Sequence, residues 1–440
     1  MKKLSLLPAL MLIVALFEII PLNGTGNFQV NIVNNTGNPA VKVYILVKGI
    51  NPTTNQPAFI QFKNGSAVGT YAGVTTPDAD INNPTQCLQY AYEDTFFKQS
   101  NGQSVMHLPY LNSGRIYISL NHPIKIPVVG TAPNLGFADP SPFNTSDPSY
   151  QYLYDKVEFT YLNNGQTYMN PTAVDCLSLP IKVAQNNVIY GISTARDTMM
   201  KSIGNMLSAS GISAQWKRLV IKNNAGTILR VVAPGRDPNF FDPNYLNGYI
   251  TALWNYYQKP TNPKVAGHAL SIDCTELTSM VPGLGNYIFT GQVIGNNFVF
   301  TNANNTLTVP IGKPGSDNFF MADQGTFSAD NGTVAAVIIR NLCAAWSVGL
   351  LPVADGTLLN KNYYLAQKTK NAFYNNNTLM PASEPNLPWY DLYAKAIHGV
   401  STNIYAFAYD DAVGLDGTNA STDQHPATLT IGALGATVVP

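Results

Sequence analysis

From Phe28 to Ile50 the chain reads FQVNIVNNTGNPAVKVYILVKGI, two runs of alternating apolar and polar positions around an Asn/Gly/Pro break. Period-two alternation with turn residues between the runs predicts a strand, a turn and a second strand paired as a hairpin. Strand-like runs recur at SGRIYISL and KIPVVG and again from Glu158 to Ile181. Many short strands broken by Gly, Pro and Asn predict an antiparallel sandwich or barrel.

The pattern changes near Val183. ISTARDTMMKSIGNMLSAS places Met199, Ile203 and Met206 on one helical face. WKRLVIKN and ILRVVAP read as strands, and PNYLNGYITALWNYYQ as a second helix after a Pro/Asp-rich start. Strand signals return in NYIFTGQVI, NNFVFTN and TLTVPIG. A helix over 332–348, GTVAAVIIRNLCAAWSV, is apolar almost all round and is expected to be buried. NIYAFAYDDAVG and ATLTIGAL close the chain as further strands. The expected organisation is mainly β: a first β part over 24–183, an α/β insertion over 184–264, and a second β part with one buried helix over 265–440.

Residues 1–22 read as an export signal: Lys2 and Lys3, an apolar run from Leu4 to Phe17, then Glu18, Pro21, Asn23 and Gly24. The run is short for a membrane span. The expected location is therefore extracellular, with no membrane association once the signal is removed.

Composition narrows the partners. Charged residues are 11% of the 440, against roughly 25% in an average soluble protein, and the formal net charge is zero. Such a surface argues against nucleic acid and anionic membranes. Polarity comes from Asn, Thr, Ser, Gln and Tyr, which suit a neutral hydroxylated ligand such as a sugar polymer. Cys87, Cys176, Cys274 and Cys343 lie far apart without CxxC spacing, so no metal site is marked. They leave open up to two disulfides or buried thiols, with Cys176 read as a core thiol. No cofactor is implied, and nothing marks an oligomer, so a monomer is expected.

No HExxH, P-loop, GxSxG elbow or dinucleotide fingerprint is present, and the histidines are scattered. Two acids remain. In KVEFTY, alternation puts Glu158 and Thr160 on one strand face; in TAVDCLSL, Asp175 shares a face with Ala173 and Leu177. Neither has a lysine or arginine between Val157 and Ile181 to balance it. Two carboxylates in different environments fit a division into acid and base, the arrangement glycoside hydrolysis needs. A tight turn at Asn164-Gly165 leaves them about four residues out of register, roughly 13 Å apart. A looser loop nearer Gln166 brings them one diagonal step apart, roughly 7–8 Å. The alternative reading is purely structural: Glu158 bonds across strands and Asp175 caps a loop.

GRIYISL, VEFTY followed by AVDCLSLPI, IIRNLCAAWSVGLL and IYAFAYDDAVG, together with the opening NIVNNTGNPAVKVYILVKG, occur in one order. Together they resemble the glycoside hydrolase family 64 β-1,3-glucanases, relatives of the thaumatin-like proteins, from about residue 28 to 435. The resemblance implies a thaumatin-like β-sandwich or barrel domain with an inserted mixed α/β domain and a groove between them for β-1,3-glucan. It also implies cleavage with inversion, Glu158 matching the general acid and Asp175 the general base. Thr160, Tyr168, Thr172, Asp410 and Asp411 match substrate-binding positions, Tyr168 standing where the family has a ring for sugar stacking. Leu162 replaces an expected polar sugar contact, and Cys176 an aromatic. The competing expectations are a thaumatin-like protein that binds β-glucan without cutting it, and a surface protein anchored by its N-terminal segment.

Overall fold

The computed structural model describes residues 26–440 apart from 63–66, 74–90, 93–102, 132–133, 238, 263, 323–324, 376–387, 423, 438 and 440. The expected signal segment and Cys87 lie outside the described residues.

The first part of the chain supplies β1 (Phe28–Asn34), β2 (Val43–Asn51), β3 (Gln56–Gln61), β4 (Thr70–Gly73), β5 (Ala91–Tyr92), β6 (Ser104–Leu108), β7 (Leu111–Leu120), β8 (Val128–Thr131) and β9 (Asn134–Phe137). β10 (Leu153–Tyr161), β11 (Thr167–Pro171), β12 (Cys176–Leu177), β13 (Ile181–Gln185) and β14 (Val188–Gly191) follow. Next come α1 (Arg196–Leu207), α2 (Ala214–Arg218), β15 (Val220–Lys222), β16 (Ile228–Val232) and α3 (Asn247–Tyr256). The remainder holds β17 (Leu270–Asp273), β18 (Ile288–Ile294), β19 (Asn297–Asn302), β20 (Thr308–Gly312), α4 (Ser316–Met321), α5 (Val334–Ser347) and β21 (Leu358–Leu359). It ends with α6 (Lys361–Thr369), α7 (Leu392–His398), α8 (Asp410–Val413), β22 (Asn419–Ser421) and β23 (Ala427–Ile431).

Two sheets face each other. One runs β14-β13-β23-β1-β6, the other β22-β11-β10-β7-β2-β3-β4 with β5 on β2. Val30 and Ile32 of the first, and Val43, Ile45, Ile116, Ile118, Val157 and Phe159 of the second, are buried in one shared core. Both sheets are open, so the mainly-β expectation is met by a sandwich and not by a closed barrel.

The expected hairpin of β1 and β2 does not form. β1 pairs with β23 and β6, while β2 pairs with β3, β5 and β7 in the opposite sheet. The connection over 35–42 exceeds the two to five residues or so of ordinary hairpin loops. Within it Thr36 donates from its amide and hydroxyl to Asn34 Oδ1 (3.2 and 2.9 Å), turning the chain across the core. A shared apolar core satisfies both strands without direct pairing.

The 184–264 stretch is stitched into the same core. Its β16 and β15 form a three-stranded sheet with β12, which precedes the stretch. Buried Arg196 donates to Ser178 O (2.7 Å), Ile228 O (2.8 Å) and Leu229 O (2.8 Å). Buried Arg230 donates to Pro142 O (3.1 Å), Tyr150 O (2.8 Å) and Tyr152 O (2.7 Å). Each thus satisfies several carbonyls at once, as a buried guanidinium must. The WKR of WKRLVIKN is helical: Ser213 caps α2 by accepting from Gln215 N (3.5 Å), and Trp216 packs edge-on to Phe241 and Tyr245.

A second five-stranded sheet, β20-β19-β18-β17-β21, holds the strands from β17 to β21. α5 is buried as expected, with Trp346 against Phe319 and Phe320 at ring distances of 5.0 Å. Cys176, Cys274 and Cys343 are buried, and burial pushes the thiols of Cys176 and Cys274 up to about 12. IYAFAY is a loop leading into α8, which begins at Asp410, and not a strand. The Asp410 carboxylate accepts from Ala406 N (2.5 Å) and Phe407 N (3.2 Å), which curls the backbone.

Candidate active site

β10 lies inside its sheet between β7 and β11, and alternation sorts its side chains. Leu153, Val157, Phe159 and Tyr161 enter the shared core. Tyr154, Lys156, Glu158 and Thr160 point to the outer face. Tyr154 there joins a satellite cluster with Leu46, Tyr117, Ile124, Ile126 and Val128. That cluster covers one end of the face and leaves the Glu158 end partly open.

Register fixes the neighbours of Glu158: Arg115 on β7 and Asn170 on β11. Arg115 in turn faces Lys48 on β2. The β10–β11 hairpin closes tightly, Tyr161 opposite Thr167, with Leu162 N donating to Gln166 O (2.8 Å) and Gly165 at φ 88°. The tight register is therefore the one that forms. Gly114 opposite Phe159 permits this seating, because an added Cβ would lie 2.5 Å from the Phe159 ring.

Asp175 follows a break in the strand. After Pro171, Ala173 N donates to Tyr405 O (2.6 Å) and Ala173 O accepts from Tyr393 Oη (2.5 Å). Ala233 N donates to Asp175 O (2.9 Å). On the other side, buried Asp155 of β10 accepts from Ser178 N (2.7 Å) and Leu179 N (3.0 Å). The loop is thus pinned from both sides. Asp175 does not continue an apolar row with Ala173: Ala173 is fully buried, whereas the Asp175 carboxylate turns toward cations.

Neither acid is alone. Asp175 is paired with Lys156, on the Glu158 face of β10, and with Arg236 Nη2 at 3.1 Å. Glu158 Oε1 lies 3.8 Å from Arg115 Nε. A third carboxylate, Asp139, pairs with both Lys48 and Arg115. Four cations and three carboxylates thus alternate across a half-buried surface. Because Arg236 follows β16, the 184–264 stretch contributes directly to the holding of Asp175.

Burial pushes the Asp175 carboxyl up, but Lys156 and Arg236 outweigh it and hold it well below the usual carboxylate range. Asp139 is likewise pushed up by burial and held low by Lys48 and Arg115. Burial brings the Lys48 ammonium down to about 8, against the pull of Asp139. The arrangement therefore keeps Asp175 and Asp139 ionised. Among the described residues, no hydrogen bond reaches the Glu158 carboxylate, whose cationic neighbour stands at the longer distance.

The binding candidates divide. Tyr168 lies opposite Thr160 on the face of Glu158 and keeps exposed surface. Thr160 and Thr172 are buried, and the Thr172 hydroxyl accepts from Val174 N (3.5 Å). Asp410 is fully buried and accepts from His398 Nε2 (3.2 Å) as well as two amides, so its carboxylate is not presented to a groove. Asp411 is half-buried, and burial raises its carboxyl to about 6 despite Arg340. Lys48, Arg115, Asp139 and Arg236 escaped sequence reasoning because they come from distant segments. Lys156 carried a signal: it sits two residues before Glu158 on the same strand face. Among the described residues no cluster of His, Cys, Asp and Glu is placed to hold a metal, and no helix is long and apolar enough to cross a membrane.

Comparison with known proteins identifies the family and the fold. A sequence model for glycoside hydrolase family 64, described as beta-1,3-glucanase, matches residues 26–432. Among solved structures, the chain resembles a laminaripentaose-producing β-1,3-glucanase in complex with laminaritetraose (TM-score 0.69, 20% identity, 93% of this chain and 99% of that one). It also resembles a β-1,3-glucanase domain from Clostridium beijerinckii (TM-score 0.68, 22% identity, 94% and 100%). A third likeness is a laminaripentaose-producing β-1,3-glucanase from Paenibacillus barengoltzii (TM-score 0.56, 18% identity, 94% and 76%). No curated protein matches.

Proposed function

The chain belongs to the glycoside hydrolase family 64 β-1,3-glucanases, and we propose that it cleaves β-1,3-glucan by single displacement with Glu158 as acid and Asp175 as base. The supporting observation is the asymmetric charge around two acids that share one region of the sheet. Asp175 has a cation on each side and stays ionised, ready to take a proton from water. Glu158 has one cation, Arg115 Nε at 3.8 Å, and is the side chain we assign to protonating the glycosidic oxygen. Lys156, which touches Asp175, is two residues along from Glu158, about 6.6 Å at the usual strand rise.

Tyr168, partly exposed beside this surface, is the side chain we assign to ring stacking, and Asp411 to the groove wall. Thr160, on the Glu158 face of β10, and Thr172, in the loop before Asp175, are both buried, and we assign them to holding strand and loop in place. The glucan groove lies, in this reading, where the sandwich meets the 184–264 stretch, because Arg236 reaches Asp175 from there. Export belongs to the same proposal, resting on Lys2, Lys3 and the apolar run; the N-terminal residue of protein recovered from culture medium tests it.

The test uses Glu158→Gln and Asp175→Asn in the full chain, with laminarin as substrate. Each is expected to lose about 10²–10⁴-fold in sugar release while still sedimenting with insoluble β-1,3-glucan. A folded variant that keeps most of its activity would remove that residue from its role. Wild-type protein that binds glucan without releasing sugar would favour the binding module instead.

A further inference from the structure

We propose that Asp139 is a positioning residue for the acid: it engages the end of the Arg115 guanidinium and so keeps that fork off Glu158. This rests on the reading of Glu158 as the acid. Arg115 stands between Lys48 and Glu158 across the sheet, within reach of carboxylates on both sides. Its Nη1 goes to Asp139, whereas its Nε remains 3.8 Å from Glu158, too long for a hydrogen bond. A guanidinium beside a lone carboxylate tends to close on it with two parallel N–H donors. Such closure would stabilise ionised Glu158 and occupy the oxygen that must deliver the proton. Asp139 prevents this by offering Arg115 the better partner.

Asp139 is itself suited to the task. It follows β9, where Ala138 N donates to Pro127 O (3.0 Å) and holds the segment against the sheet. Its second cation, Lys48, fixes the carboxylate from the far side. The other groups around Glu158 are Tyr117 on β7, Lys156 on its own strand, Asn170 and Tyr168 on β11, and the Asp175–Arg236 pair beyond Lys156. Of the cations, Lys156 and Arg236 are already committed to Asp175. Arg115 is therefore the cation whose direction Asp139 decides.

The experiment measures kcat/KM on laminarin against pH for Asp139→Asn, beside wild type. With Arg115 released onto Glu158, the alkaline limb should move down by about one pH unit or more, and activity above it should fall about tenfold. Adding Arg115→Met to Asp139→Asn should return the limb toward its wild-type position, which repair of a purely structural defect would not do. Should Asp139→Asn fail to fold, Lys48→Met/Asp139→Asn removes one charge of each sign and is expected to show the same displacement. An unmoved alkaline limb in a folded variant overturns the proposal. Glu158→Gln separates the two levels: if it stays active, the acid assignment falls; if it is inactive while the Asp139 variants keep the wild-type limb, only the positioning role falls.

Discussion

Lys156→Met removes one of the two charges that hold Asp175 ionised while keeping most of the aliphatic stem. Asp175 would retain Arg236 at 3.1 Å. One opposite charge at short range lowers a carboxyl by about 1–3 units. Here the side chains of the pair are 12% and 19% exposed and the second cation persists, so a rise of about 1–2 units is expected. That corresponds to roughly 1.4–2.7 kcal/mol of lost preference for the ionised form. The assay is reducing-sugar release from laminarin across acidic to neutral pH, with a thermal melt as folding control. Because a base works only when ionised, the acid limb of kcat/KM should move upward by that same amount. Activity above the limb should persist, since a more basic carboxylate takes a proton more readily. Lys156→Arg should leave the limb in place. A folded Lys156→Met enzyme whose acid limb does not move would refute the idea that this pair governs a working base.

Other changes probe the scaffold. Gly114→Val drives a side chain into Phe159 and should cost about 1–3 kcal/mol while lowering activity through β10, read by urea denaturation and laminarin turnover. Trp346→Ala opens a hole between α5 and the α4 aromatics and should cost about 3–5 kcal/mol, visible in the same denaturation curves. Burial raises Asp391 to about 7 and Asp155 to about 6, so these carboxyls oppose folding once ionised. Their contribution is lost as pH rises from the ordinary carboxylate range through 6 to 7, whereas that of Asp175 and Asp139, held low, is lost in acid. Stability should therefore peak at mildly acidic pH. Asp391→Asn, which can still cap α7 through Ala394 N, should flatten the fall toward neutrality.

Local pattern revealed most strands and the buried helix because alternation and helical spacing belong to each segment alone. Partner choice is a property of two segments, which is why Phe28–Asn34 and Val43–Asn51 were legible as strands but not as members of opposite sheets. The same divide runs through the site. Glu158 and Asp175 were visible as acids in apolar surroundings, and Thr160 as a face-mate. Their balancing charges were invisible: Arg236 and Arg115 are remote in sequence, and Lys156 lies just outside the stretch between the acids. IYAFAY looked like a strand from its aromatic residues, yet one buried carboxylate at Asp410 folded its backbone into a loop. Local propensity yields to such a tertiary demand.

The place of β23 governs how the molecule can be made. It lies between β13 and β1, joined to β1 in parallel through Val30 with Ala427 and Asn34 with Ile431. A ribosome finishes this strand only after nearly four hundred residues have followed its partner. Until then two neighbouring strands expose bare edges, and the sheet cannot close. High contact order of this kind slows folding and lengthens exposure to aggregation. Assembly must therefore wait for the tail, and a chain cut short before residue 427 would lack the centre of a sheet rather than its margin.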